Sequence, residues 1–327
     1  MKRAQLPRQR RIATYVLPRW KLVFVSTPKA ACTSVKWMLA DLQGIDPAVF
    51  HRSLSSETTR ATTIHQARFV WGEETPRLAQ LSDDQLREIT PDNGWFVFAM
   101  SRHPALRLWS AWQSKVLLRE PRFVRDFGDQ PWFARVPTSS DDVFSDWFRF
   151  VEAAAAQPDS AIMRDVHFRP QTALLRYGVT PYDRIYDTAD FALMLKDVTA
   201  HLEAQGWRGE LWVPRSNETP LPALRRAFPP DVTEAIRRIY ARDYRLLGYG
   251  RTQPPRLAVA EEYPETLVAA VGMLVERAER IGDLSERARE LYARAGIRRA
   301  VASAGRYWLG RARGVREASD DTDSSAV

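Results

Sequence analysis

Short apolar runs separated by amphipathic stretches outline this chain. Leu22 to Ser26 opens with a continuous run of β-branched, aromatic and aliphatic residues, the pattern of a strand buried on both faces. Pro28 punctuates the loop that follows, Thr27 to Cys32. Val35, Met38, Leu39 and Leu42 then recur at helical spacing, so a helix is expected with Thr33 or Ser34 as N-cap and a stop at Gly44. A second buried strand is expected over Trp95 to Met100, closed by Ser101-Arg102-His103-Pro104. A helix from Pro104 carries Leu106, Trp109, Trp112 and Val116. Weaker signals suggest a strand over Thr63 to Trp71 and another at Arg184-Ile185-Tyr186. Helices are expected near 83–89, 142–156, 190–204 and 231–246, with loops over 45–62 and 120–142. Strands alternating with helices predict an α/β fold, a three-layer sandwich around a mainly parallel sheet.

The character changes beyond Gly250. Thr252-Gln253-Pro254-Pro255 reads as a linker, and 261–316 reads as helical, with Leu267, Val271, Leu274 and Val275 in one stripe. The expected organisation is a basic tail over 1–20, one domain over 21–250, and a linker with a helical extension and disordered end over 251–327.

Charge alters this picture mainly at the ends. The net charge is +8, yet residues 1–21 hold seven Lys or Arg and no acid, and 294–316 hold seven Arg and no acid. A nucleic-acid-binding domain carries its excess on the folded body, so no specific nucleic acid is expected as partner. Ile297, Val301, Tyr307, Trp308 and Leu309 interleave with the arginines, which offers a face for peripheral membrane contact. Gly305, Gly310 and Gly314 weaken a long helix there and favour packing on the domain or on a second subunit. The single cysteine, Cys32, excludes an internal disulfide framework and a Cys-based zinc site. No run approaches the ~20 apolar residues of a membrane span. The N-terminus breaks at Pro7 and Pro18 instead of forming a secretory signal, so a cytoplasmic location is expected. Only six of the 48 basic residues are lysines (Lys2, Lys21, Lys29, Lys36, Lys115 and Lys196), which makes any lysine in a special position informative.

Chemistry concentrates at two strand ends. Pro28-Lys29-Ala30-Ala31-Cys32-Thr33-Ser34 joins a strand to a helix N-terminus, where unpaired amides and the helix dipole suit a phosphate or sulfate. Lys29, Thr33 and Ser34 add side-chain donors. The loop has no glycine and so departs from the G-x-x-x-x-G-K-[ST] pattern of nucleotide triphosphatases. The second signal is Arg102, just past a strand, with Ser110 two helical turns on; a guanidinium fork and a hydroxyl there can share one anion. One anion site at each strand end implies a ligand with two separated anionic groups. Cys32 also sits where a thiol could be activated, but no base neighbours it in sequence.

These residues resemble a known family, the carbohydrate sulfotransferases and especially the chondroitin and dermatan 4-O-sulfotransferase group. The loop Thr27 to Lys36 is similar to the family's 5′-phosphosulfate loop. Arg102-His103-Pro104, Arg107 and Ser110-Ala111-Trp112 resemble its 3′-phosphate motif. Val166-His167-Phe168-Arg169-Pro170-Gln171, Tyr182-Asp183-Arg184-Ile185-Tyr186, and Tyr240-Ala241-Arg242-Asp243-Tyr244 with Leu247-Gly248-Tyr249 follow in the family's order. The resemblance spans about 21–250. It implies a P-loop-like fold and 3′-phosphoadenosine 5′-phosphosulfate (PAPS) as sulfate donor, with no metal. It also implies a hydroxyl acceptor on a carbohydrate or small molecule. Where the animal enzymes carry cysteines, this chain reads Leu174-Leu175-Arg176-Tyr177-Gly178, which fits a reducing compartment and departs from a glycosaminoglycan enzyme.

By analogy with phosphoryl transfer, positioning and charge stabilisation would supply most of the rate. Lys29 would stabilise the bridging and leaving oxygens. Pro28, Ala30, Ala31, Cys32, Thr33 and Ser34 would hold the 5′-phosphate, and Arg102 with Ser110 the 3′-phosphate. The acceptor hydroxyl needs a base: His65, His167 and Glu57 are the candidates, with His65 favoured by the resemblance. A P-loop-like kinase, or a non-catalytic protein using its basic ends on membranes or nucleic acid, are the rival readings.

Overall fold

The chain enters its sheet earlier than its basic composition suggests. Thr14–Leu17 forms β1, antiparallel to β2 (Leu22–Val25) in the register Thr14↔Val25 to Leu17↔Leu22. Tyr15, Val16 and Leu17 are buried in this pairing, so a stretch read as tail contributes an edge strand. Only the three-residue apolar run Tyr15-Val16-Leu17 marks it, and the surrounding arginines and prolines obscure that run. The computed structural model describes residues 13–45, 62–65, 71–72, 74–214, 219–250 and 257–294.

After β2 come α1 (Cys32–Leu42) and α2 (Asp83–Glu88), then β3 (Phe96–Ser101) and α3 (Pro104–Trp112). A π-helical turn, Gln113–Leu117, extends α3. The chain continues through α4 (Pro121–Phe127), α5 (Ser140–Ala156), α6 (Gln171–Leu174), β4 (Arg184–Asp187) and α7 (Phe191–Ala204). It ends in α8 (Pro230–Ile239), α9 (Ala241–Leu246) and α10 (Glu265–Arg294). The sheet order is β1-β2-β3-β4, with β2, β3 and β4 parallel. The mainly parallel α/β sheet expected from the sequence is therefore present.

Period-two alternation sends side chains to both sheet faces. Leu22, Phe24, Phe98, Met100 and Tyr186 pack beneath α1 and α7, against Val35, Met38, Leu39, Met194 and Val198. Val23, Val25, Val97 and Ala99 pack against Leu78, Leu81, Leu86 and Ile89. A third, larger core joins α3, α5, α8 and α10, with Trp109, Trp112 and Trp147 at its centre. Val268, Val271 and Val275 belong to this core, while Leu274 of the same stripe is exposed. The first part of the C-terminal extension is thus integral to the helical layer. Gly282 brings α10 onto α4, where an added methyl group would meet Pro121 at 3.3 Å.

Three local expectations are corrected. Thr63–His65 is a 3-10 turn, not the start of a strand, and 66–70 lie outside the described residues. The expected loop 120–142 contains α4, which Pro121 opens from the first helical position. Helix 231–246 breaks at Tyr240 into α8 and α9. The arginine-rich part of 294–316 and Glu57 also lie outside the described residues. No helix among the described residues is long and apolar enough to cross a membrane.

Candidate active site

Parallel pairing of β2 and β3 fixes the site, because it brings their C-terminal ends side by side. The chain leaves β2 through Ser26 and Thr27 and turns sharply at Lys29 (φ 70°) and Ala31 (φ 53°). Both residues sit in the left-handed region, which costs an L-residue with a Cβ about 1–2 kcal/mol. Such strain collects at ligand-holding loops. The turn at Ala31 places the first α1 residue at Cys32, two earlier than an N-cap at Thr33 would allow. Val35 donates to Ala31 O, so the amides of Cys32, Thr33 and Ser34 precede the first intrahelical bond.

Arg102 follows β3 directly, and its Nη1 donates to the Lys29 carbonyl at 3.4 Å. The two strand ends therefore form one site. Gln171 holds the Arg102 backbone from both sides: Arg102 N donates to Oε1 at 2.9 Å, and Nε2 donates to Arg102 O at 2.8 Å. Asp243, fully buried on α9, accepts from Gln171 N, Thr172 N and Thr172 Oγ1 at 2.6–2.8 Å. The Pro-Gln and Tyr-Ala-Arg-Asp-Tyr segments are thus the scaffold that aims Arg102. Arg107 is also buried, and its guanidinium donates to the carbonyls of Pro28 (2.9 Å), Arg169 (2.8 Å) and Val166 (3.1 Å). It ties the Lys29 loop to the His167 segment. Ser110, three residues on, is buried on α3.

Three of the six lysines converge here. Burial, and then the neighbouring Lys115 ammonium, push Lys29 down to about 7. Lys115 rises from the π-helical turn and forms an ion pair with Glu120, both of them largely buried. Lys36, buried on α1, donates from Nζ to His65 Nδ1 at 2.8 Å and lies over the Tyr15 ring. His65 Nε2 is 3.2 Å from Thr33 Oγ1. Desolvation, followed by Lys36 and Lys115, lowers His65 to about 3. Burial, with the Lys115 and Lys29 ammonium groups, brings His167 to about 3, against an opposing pull from Asp165. Both imidazoles are therefore neutral near neutral pH. Burial raises the Asp165 carboxyl, but hydrogen bonds from His167 outweigh it and hold the group below the usual carboxylate range.

The site therefore contains Pro28 to Ser34, Arg102 and both histidines. The sequence reading missed Lys115, Glu120, Arg122 and Asp165, which the π-helical turn, the start of α4 and the turn before α6 deliver. Lysine scarcity was the available signal for Lys115. Beside Arg102, a cavity of about 1060 Å³ opens between the ends of β3 and β4, lined by Ser101, His103, Tyr182, Asp187, Leu247 and Tyr249 among others. Among the described residues, no group of three or more His, Cys, Asp or Glu side chains could hold a metal ion.

No curated protein and no solved structure gives a significant match to the chain. A family model, described as the Sulfotransferase family, matches residues 13–250. That span covers β1 through α9 and every site residue named above, and on it the chain belongs to the sulfotransferase family.

Proposed function

We propose that the protein transfers a sulfuryl group from PAPS to a hydroxyl on a carbohydrate or small molecule. The observation that carries this reading is the contact of Lys29 and Arg102 at adjoining strand ends, with a cavity roomy enough for a nucleoside beside Ser101 and His103. When bound, the donor supplies an activated sulfuryl group whose bond to the 5′-phosphate breaks in line with the attacking hydroxyl. The residues present suit such a group. The amides of Cys32, Thr33 and Ser34 and the start of α1 form an anion site, a glycine-free counterpart of a P-loop. Lys29 places its ammonium beside that site, where charge on the leaving oxygen would be stabilised. Arg102 and Ser110 take the 3′-phosphate, and the cavity beyond them takes the nucleoside. None of these roles requires a metal.

The state of Lys29 gives a pH signature. Held at about 7, it loses its proton as pH rises from there, whereas a bound anion favours the ammonium form. Affinity for adenosine 3′,5′-bisphosphate is therefore expected to fall above pH 7, by up to about tenfold per pH unit, with proton uptake on binding. Calorimetry in buffers of different ionisation enthalpy measures both. The same titrations with ATP test the reading itself. Preference for the bisphosphate, followed by transfer of label from PAPS in an acceptor screen, supports it. Tighter ATP binding with phosphate transfer would establish a kinase.

A further inference from the structure

The two histidines of the cleft are set up for different work. In a neutral ring that accepts from Lys36 at Nδ1, the hydrogen sits on Nε2 and points to Thr33, so His65 has both nitrogens engaged. His167 differs. Its Nδ1 lies 2.7 Å from Asp165 Oδ1, and its own backbone N–H donates to the same oxygen at 3.0 Å. An ionised carboxylate only accepts, which puts the ring hydrogen on Nδ1 and the lone pair on Nε2. Nε2 makes no hydrogen bond among the described residues, and the side chain is 21 % exposed. Arg122 of α4 donates from Nη2 to the other Asp165 oxygen at 3.0 Å. Phe123 packs edge-on to the His167 ring, with the Arg122 guanidinium over its face.

We propose that Asp165 is a positioning residue that makes His167 the general base for the acceptor hydroxyl, with Arg122 fixing the Asp165 carboxylate. The proposal rests on the sulfuryl-transfer reading above. As the acceptor oxygen bonds to sulfur, His167 Nε2 takes its proton. The S–O bond to the 5′-phosphate breaks, and its electron pair stays on the phosphate oxygen beside Lys29. The imidazolium then lies against the Asp165 carboxylate, which offsets the repulsion from Lys29 and Lys115. This is the carboxylate–imidazole logic of activated hydroxyls, with tautomer and orientation set by the acid. The other titratable and charged groups around the cleft are Arg122, the neutral His65 with Lys36, and Glu120 paired with Lys115.

The test combines a spectroscopic and a kinetic readout on the full chain. Long-range nitrogen-15 NMR of the imidazoles, without any donor, is expected to show one His167 tautomer with its hydrogen on Nδ1. Asp165→Asn should give mixed or reversed tautomers. Its affinity for adenosine 3′,5′-bisphosphate should stay within about twofold, while PAPS turnover falls about 10²–10⁴-fold. Asp165→Glu should restore part of that turnover, and Arg122→Gln should loosen the tautomer in a chain that keeps the carboxylate. A wild-type hydrogen on Nε2, or unchanged turnover in Asp165→Asn, would overturn the proposal. So would loss of turnover in His65→Ala or Glu120→Gln with His167→Asn still active. Wild-type protein that binds no bisphosphate would instead count against the donor reading, since the tautomer is measured independently.

Discussion

Lys29→Ala is expected to lower turnover about 10²–10³-fold while reducing affinity for adenosine 3′,5′-bisphosphate tenfold or less. The asymmetry follows from where charge develops. On the proposed reading, the donor's anionic charge in the ground state would be shared among the loop amides, Lys29, Arg102 and Ser110. During transfer, new negative charge collects on the leaving oxygen, and a preorganised donor there is worth about 3–4 kcal/mol. The ammonium is already partly desolvated, as its shift to about 7 shows, so little reorganisation accompanies that charge. Lys115 does not take over, because Glu120 holds its ammonium. Single-turnover rates with labelled donor, set beside calorimetric affinities, separate the two effects. Equal losses in both would make Lys29 a simple anchor.

Arg107→Ala is expected to destabilise the fold by on the order of 3–5 kcal/mol. The variant strands the carbonyls of Pro28, Val166 and Arg169, and each buried acceptor left unmet costs about 1–3 kcal/mol before relaxation. Thermal unfolding should show this as a drop on the order of 10 °C, at about 2–4 °C per kcal/mol for a domain of this size. Arg107→Lys should recover less than half, since a single ammonium cannot span three carbonyls held by a planar fork. The alternative role, direct contact with the bound anion, predicts unchanged stability with lost affinity. Family resemblance alone does not separate these roles; the three hydrogen bonds do.

What was legible in the sequence depended on how locally each feature is specified. The runs Leu22 to Val25 and Trp95 to Met100 are apolar on both faces, so they marked buried parallel strands directly. The loop at Lys29 and the arginine at Arg102 follow those strands immediately, and parallel pairing then makes their meeting a consequence of topology. β1 escaped notice because its four residues sit among basic ones, and an edge strand needs only a partner, not a long apolar run. The N-cap misplacement has a backbone cause: Ala31 takes a left-handed turn that residue preference assigns to glycine. The missed charges have another. Lys115 reaches the site because a π-helical turn resets the end of α3, and Asp165 does so because its partner His167 is two residues on. Neither arrangement leaves a periodic trace. The Pro170-Gln171 and Asp243 motifs were visible, but their work of gripping the Arg102 backbone became readable only in three dimensions.

One comparison tests the proposed two-phosphate site most directly: the affinities of wild-type and Arg102→Ala protein for adenosine 3′,5′-bisphosphate and for adenosine 5′-monophosphate. A charge-assisted hydrogen bond is worth about 1.5–3 kcal/mol. Wild-type protein is therefore expected to prefer the bisphosphate about 10–100-fold, and Arg102→Ala to bind both ligands alike. A wild-type protein indifferent to the 3′-phosphate, or a variant that keeps the full preference, would contradict the account.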